Sequence, residues 1–262
     1  MGMFVKLASA GIPVGEIVLV RLVITIPISL ITVKRAGVSP WGNNKLGLVF
    51  RGVVVYFGLT VYYLSLKLLP LADATTMQNL TPIMTALLAW WLLDEKVGKS
   101  TVFAIVCGIA GVVLIVNPRG SNVDTEGLLV AMACVVLFAI SYVMVRKLSR
   151  TENPHVIVLY YSVIPTPLAI PWAVASWVTP TPIEWLWLVL VAIFTQITQT
   201  LLTMGFALER AGRASTLSYL QVLFSMILQI VVFGHVPTVL TVLGMALILI
   251  GAFAVARAAR AS

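Results

Sequence analysis

Apolar stretches about as long as a bilayer is thick recur from one end of this chain to the other, and only short polar connectors separate them. A helix needs about 20 predominantly apolar residues to cross a hydrocarbon core. In lipid its backbone polar groups must all be satisfied within the segment. After a short opening helix, such segments run over 16–33, 46–68, 74–93, 100–116, 127–147, 155–178, 183–207, 213–233 and 238–256. The connectors carry helix breakers: Gly37 and Pro40, Pro70, Gly98, Pro118 and Gly120, Pro154, Pro180 and Pro182, Gly212, Gly234 and Pro237. Hydrophobic residues make up 60% of the chain and charged ones 10%. A soluble domain carries about 25% charged residues, so this chain has too few to cover a water-facing surface. The fold class that follows is an all-α polytopic membrane protein, with no connector long enough for a separate soluble domain.

The net charge of +8 does not call for nucleic acid, because the basic residues cluster in alternate connectors. One side holds Lys34, Arg35 and Lys45, then Lys96 and Lys99, then Arg146, Lys147 and Arg150, then Arg210 and Arg213, then Arg257 and Arg260; the other holds Lys67 and Arg119. The positive-inside rule puts the first set in the cytoplasm, together with the C-terminus, in a multi-pass protein of the cell (inner) membrane. Lys6, Arg21 and Arg51 lie in or near spans. Cys107 and Cys134 fall inside apolar segments, where packing is their expected role. The opening residues lack the pattern of a cleavable signal peptide.

Sliding the chain against itself by 140 residues exposes a repeat. Ala74 falls on Ala214, Thr76 on Thr216, Leu80 on Leu220, Leu88 on Leu228, Thr101 on Thr241, Val102 on Val242 and Gly111 on Gly251. Pro27 falls on Pro167, and the opening MGMFVKLASA falls on residues 141–150. The second half therefore owns a helix start, residues 127–140, that the first half lacks. The expectation is a first helix short of about fourteen residues; the plain alternative is that residues 1–10 are a leader. The repeats divide as 1–118, with an incomplete N-terminal helix, and 119–262. A complete repeat holds five spans, an odd number, so the halves run in opposite directions through the membrane. Inverted halves around a central site are an architecture of secondary transporters.

The segments EIVLVRLVI, PLADATTMQNLTPIMTALLAWWLLDEK and QTLLTMGFALERAGRASTLSYLQVLFSMILQIVVFGHVPT resemble the drug/metabolite transporter superfamily, EamA type. PLADAT, AWWLLDEK, ERAG and the QVLF…VPT run are most similar to group G of solute carrier family thirty-five and its bacterial relatives. The resemblance covers the whole chain after its opening. It implies a ten-helix fold of two inverted five-helix repeats with both termini cytoplasmic, here with the first helix truncated.

Polar groups inside spans are costly and mark function by default. Arg21 has two open roles: binding an anionic substrate group, or holding a structural bond to neighbouring backbone. The family resemblance favours structure, because arginine is common there whatever the substrate. Arg51 either contacts substrate or snorkels to the interface. Segment 74–93 carries Thr75, Thr76, Gln78, Asn79, Thr81 and Pro82, and Pro82 frees a backbone carbonyl near the amide side chains. The repeat offers Ser215, Ser218, Tyr219 and Gln221 in return. Tyr56 and Tyr63 correspond to Gln196 and Thr203, and Gln196, Gln199 and Thr203 form one stripe. The candidate substrate-contacting set is therefore Arg21, Arg51, Tyr56, Tyr63, Gln78, Asn79, Gln196, Gln199, Thr203, Ser218 and Tyr219, against the plain reading of polar contacts between helices. Tyr142, Tyr160 and Tyr161 line either a cavity or the interface. Glu16 is the best carboxylate for a proton-coupled step, and facilitated diffusion or exchange stays open.

Other patterns fail. Gly98–Ser100 lacks the glycine that a phosphate loop needs at position 93, which is Leu93. His155 and His235 have no metal-type neighbours, so neither metal nor cofactor is implied. Ala104, Gly108 and Gly111, and Gly244 with Gly251, make small-residue faces for helix contact. The reading is a secondary transporter of a small organic metabolite, working by rocking of the two repeats. Arg21 and Arg51 tilt the substrate towards an organic anion. An exporter of amino acids or drug-like cations, and a non-transporting scaffold or inactive truncated transporter, are the alternatives. Nothing supports the condensing-enzyme name that relatives of the group G carriers have carried. The expected partners are the lipid bilayer and a small-molecule substrate, not nucleic acid; a homodimer is left open.

Overall fold

The computed structural model of the protein describes residues 2–9, 11–68, 77–95, 97–116, 125–220 and 239–260. Among them there is no strand. The helices are α1 (Gly2–Ala8), α2 (Val14–Arg35), α3 (Lys45–Leu68), α4 (Thr81–Leu93), α5 (Lys99–Val116), α6 (Thr125–Leu148), α7 (Pro154–Val163), α8 (Pro165–Ala175), α9 (Pro182–Leu208), α10 (Ala211–Thr216) and α11 (Val239–Arg260), with a 3₁₀ turn at Leu217–Tyr219. Val14–Arg35, Lys45–Tyr62, Leu129–Leu148, Pro154–Ala175 and Pro182–Leu208 are long and apolar enough to cross a membrane by length and composition. The predicted segment 155–178 is two helices, α7 and α8, meeting at Ile164. Pro165 and Pro167 remove the amides that would carry the hydrogen-bond ladder through. The boundary at 118/119, and Thr75, Thr76, Gln221 and His235, lie outside the described residues.

The chain folds as two compact units. One comprises residues 1–57 and 144–208, the other 58–143 and 209–262. Each draws on both sequence halves, and α3 and α6 contribute residues to both units. Within each unit a helix packs against its own repeat counterpart: α2 on α7 and α8 in the first, and α5 on α11 in the second, where α4 also packs on α10.

The contacts themselves repeat at an offset of 140. In the first unit, one apolar cluster joins Ala8, Ile12, Ile17 and Val20 to Leu188 and Val191. Another joins Leu148, Val156, Ile157 and Leu159 to Val33 and Leu48. The shift carries Ala8 to Leu148, Ile17 to Ile157 and Leu48 to Leu188, so the two clusters share three matched positions. The seven-residue α1 therefore packs on α9 as the end of α6 packs on α3. In the second unit, Gly111 lies against Gly244 and Ile248, and Gly251 lies against Ala104 and Cys107. The shift carries Gly111 to Gly251 and Ala104 to Gly244. Such reciprocity, i on j and j on i, is the mark of a twofold relation.

Connectors in the first unit are clamped by carboxylates. Glu152, 6% exposed, accepts the backbone N–H groups of both Asn43 (2.8 Å) and Asn44. Asn44 in turn caps the Gly47 amide at 2.9 Å, and the Tyr160 hydroxyl donates to the Trp41 carbonyl at 3.0 Å. Gly42 permits this turn with its φ of +62°. Glu16, buried in the first turn of α2, accepts the Val178 N–H at 3.0 Å.

Candidate functional site

The candidate residues divide between the units. In the first, α2 presents Arg21, Thr25 and Ser29 at i, i+4 and i+8, all buried and on one face. The Thr25 hydroxyl meets the Ser162 hydroxyl of α7 at 3.0 Å, and the Ser29 hydroxyl donates to Gln196 Oε1 of α9 at 3.0 Å. Arg21 ends this stripe at 4% exposure, and its Nε and Nη2 have no hydrogen-bond partner among the described residues. Gln196 Nε2 and Thr203 Oγ1 are likewise buried and without a partner. These orphaned groups are donors or hydroxyls, and burying them without acceptors is unfavourable. The Arg21 donors suit an acceptor-rich ligand.

Arg51 is different. At 2% exposure it does not snorkel. Its Nη1 donates to the Ile157 carbonyl at 2.9 Å, and its guanidinium lies 5.5 Å from the centre of the Tyr161 ring. Arg146 is similarly engaged, donating to the Phe206 and Ala207 carbonyls at the end of α9 (3.1 and 2.8 Å). Arg51 thus holds a structural bond of the kind also considered for Arg21. Tyr56 is half-buried with its ring edge-on to Phe57, and Gln199 is half-buried.

In the second unit, Gln78 Nε2 donates to Cys134 Sγ at 3.1 Å, and that thiol reaches the Gly58 carbonyl at 3.4 Å. The Tyr219 hydroxyl donates to the Asn79 carbonyl at 2.9 Å, joining residues that are repeat counterparts. Ser218 bonds the Ser215 carbonyl, and Ser215 reaches the Pro82 carbonyl at 3.4 Å. The Tyr63 side chain lies outside the described residues. Both cysteines are buried and free.

Sequence reasoning missed Thr25, Ser29 and Ser162. The i, i+4, i+8 spacing from Arg21 was the available signal for the first two. Ser162 has none, because its partner is remote in sequence.

A family model described as EamA-like transporter family matches residues 1–117 and again 125–257. The chain belongs to the EamA-like transporter family. Its membership brings it into the drug/metabolite transporter superfamily, with one EamA repeat in each half. It is 27% identical over 258 residues to the pseudopaline exporter CntI of Pseudomonas aeruginosa, covering 98% of this chain and 91% of that one. It is 30% identical over 240 residues to the mouse (Mus musculus) solute carrier family 35 member G1, covering 86% and 65%. It is 26% identical over 205 residues to the S-adenosylmethionine uptake transporter of Rickettsia bellii, covering 77% and 69%. A crystal structure 23% identical in sequence shares the fold with a TM-score of 0.87, covering 98% of this chain and 92% of that one. The EamA protein described here is thus a multi-pass membrane protein among transporters of small molecules.

Proposed function

We propose that this EamA protein is a secondary transporter of a small organic metabolite, with an organic anion as the favoured class. The observation that carries the substrate class is Arg21, a buried guanidinium whose Nε and Nη2 meet no acceptor among the described residues. A positive charge in that state is stabilised by an anion that comes and goes. Alternating access by rocking of the two inverted repeats is the mechanism of this reading, and the repetition of the EamA sequence in both halves supports it, since related halves offer two equivalent packings. Arg21, Gln196 and Thr203 are the strongest members of the binding set; Tyr56, Tyr63, Gln78, Asn79, Gln199, Ser218 and Tyr219 complete it, and Arg51 holds the wall. The basic connectors favour a plasma-membrane protein with a cytoplasmic C-terminus. The named relatives include an exporter and an uptake transporter, so neither direction is inherited, and no catalytic activity forms part of this reading.

A second reading, an exporter of amino acids or drug-like cations, draws on Glu16. Its Oε1 is buried and accepts nothing among the described residues, which suits an ammonium group. Counterflow in proteoliposomes decides. Vesicles loaded with unlabelled carboxylates, amino acids or quaternary amines are offered the labelled compound. Accumulation of a labelled carboxylate, lost in Arg21→Gln, is the expected result. Accumulation only of amines establishes the second reading. No counterflow with any class makes the protein a non-transporting scaffold.

A further inference from the structure

The predicted span 74–93 is not one continuous helix. Met77 and Gln78 are helical, Asn79 and Leu80 form a turn, and α4 starts afresh at Thr81. Its repeat counterpart is interrupted at the matching place. There α10 ends at Thr216, and the 3₁₀ turn Leu217–Tyr219 falls, under the shift of 140, on residues 77–79. The two interruptions are joined by the Tyr219–Asn79 hydrogen bond. The cause in the first is Pro82, which has no N–H and crowds the carbonyl four residues back, that of Gln78.

Thr81 lies seven residues into the span, about 10 Å along a helix and about a third of the way through a hydrocarbon core. A helix that begins at such depth turns its positive end away from bulk water. The local ladder runs from the Leu80 N–H to the Met77 carbonyl (3.0 Å) and from the Met84 N–H to the Leu80 carbonyl (3.1 Å). No side chain caps this end of α4.

The Thr81 hydroxyl is the second, independent observation. It is at the same helix end, 6% exposed, and without a hydrogen-bond partner among the described residues. A helical threonine ordinarily turns its hydroxyl back to a carbonyl of the preceding turn. Thr85 does so, donating to the Thr81 carbonyl at 2.7 Å; Thr81 does not. Gln78, the neighbouring donor, is committed to Cys134. What is left open at this point is a hydroxyl donor beside the positive end of a 13-residue helix.

We propose that the start of α4, with the Thr81 hydroxyl beside the positive end of the helix, binds a carboxylate group of the transported substrate; the proposal rests on the transport reading. A carboxylate is acceptor-only and anionic, and helix starts inside the membrane receive such groups in other transporter architectures. Thr81 is absent from the residues that sequence reasoning selected.

The test uses the full-length protein, purified in detergent, with thermal shift read against succinate, citrate, glutamate, succinamide and choline. Thr81→Val removes the hydroxyl at matched shape, and Thr81→Ser keeps it. Loss of an unpartnered buried hydroxyl leaves the ligand-free melting point unchanged or higher, so a folding defect is separable from a binding defect. The expected result is stabilisation by at least one carboxylate, not by its amide analogue. Thr81→Val weakens the apparent affinity by about tenfold or more, the worth of a hydrogen bond to a charged group, and Thr81→Ser restores it. Equal carboxylate affinity in Thr81→Val and wild type overturns the proposal, as does stabilisation of the wild type by choline or succinamide alone, or by nothing in the panel. Flux separates the two readings. Counterflow that Thr81→Val leaves intact refutes this site and keeps the transporter. Carboxylate binding that depends on Thr81 without counterflow keeps the site and refutes the transporter.

Discussion

A methyl group added at Gly111 tests the reciprocal packing of α5 and α11. An alanine Cβ there would lie 2.6 Å from the Gly244 carbonyl oxygen and 2.7 Å from Ile248 Cγ1. Ordinary contact needs 3.4 Å or more. Ile248 can change rotamer, but the carbonyl belongs to the α11 backbone, so the helices must separate by about 1 Å. A gap of 0.5–1 Å forfeits about a quarter to a half of the dispersion energy in the contact, and overpacking of this kind costs about 1–3 kcal/mol. Replacing a mid-helix glycine by alanine returns about 0.5–1 kcal/mol. Gly111→Ala is therefore destabilised by about 1–2 kcal/mol. Gly205, inside α9, has nothing within 4 Å of its would-be Cβ, so Gly205→Ala collects the helix gain alone. The two variants should differ by about 2–3 kcal/mol, or about 5–10 °C in melting temperature for a chain of this size. Gly251→Ala, the repeat image of Gly111→Ala, meets Cys107 Cβ at 3.0 Å and the Ala104 Cα at 3.1 Å. It should fall between them, nearer to Gly111→Ala. The assay is thermal unfolding in detergent, followed by loss of the monodisperse elution peak. If Gly111→Ala melts as high as Gly205→Ala, the close approach of α5 to α11 is wrong and the twofold relation in this unit falls with it.

Arg21→Met removes an unpartnered buried charge, so its thermal stability should stay level or rise by about 1–2 kcal/mol while counterflow disappears. Arg51→Met loses the bond to the Ile157 carbonyl and the stack on Tyr161 and should lose about 2–3 kcal/mol; a lower melting point for Arg21→Met than for Arg51→Met would contradict both assignments. Glu152→Ala strips the acceptor from the Asn43 and Asn44 amides at a cost of about 1–3 kcal/mol. Hydrogen exchange at those two amides should quicken by about tenfold or more, with Val178 unaffected and Glu152→Gln close to wild type; unchanged protection at Asn43 and Asn44 would show that Glu152 is no clamp.

Much of the scaffold was readable in the sequence because lipid leaves few choices. The starts of α2, α3, α6 and α9 fall within about two residues of the apolar boundaries, the ordinary uncertainty of helix ends. The interruption at Ile164 follows from Pro165 and Pro167, which no helix carries without losing amides. The site was less readable, because hydrogen bonds such as Thr25–Ser162 and Ser29–Gln196 join residues more than a hundred positions apart. Ser29 and Gln196 both look like helix-face polar residues until the packing of α2 on α9 brings them together. The assembly of each compact unit from both halves was not visible either, since periodicity within a segment says nothing about which segment it meets.

Arg21 and Arg51 show how a symmetric frame yields one engaged arginine and one orphan. In sequence they look alike: each is a cation a few residues into an apolar span. The shift of 140 places Arg21 on Tyr161, and Tyr161 is the ring beneath Arg51. The same shift places Arg51 on Val191. The pair Arg51–Tyr161 therefore has as its image the pair Val191–Arg21, in which valine stands at the arginine's position and arginine at the ring's. Val191 and Ile17, the images of Arg51 and Ile157, both belong to the first cluster, and valine has no donor for the Ile17 carbonyl. Where one half holds its cation with a carbonyl and an aromatic face, the other offers hydrocarbon. Arg21 Nε and Nη2 have no hydrogen-bond partner among the described residues, and by this symmetry the position paired with Arg21 is aliphatic. Its demand for an acceptor is thus specific to one half of the repeat. Restoring an aromatic face to that half, as in Val191→Tyr, should engage Arg21 as Tyr161 engages Arg51. Carboxylate counterflow should then fall although Arg21 itself is intact, and undiminished flux in that variant would mean that Arg21 does not hold the substrate.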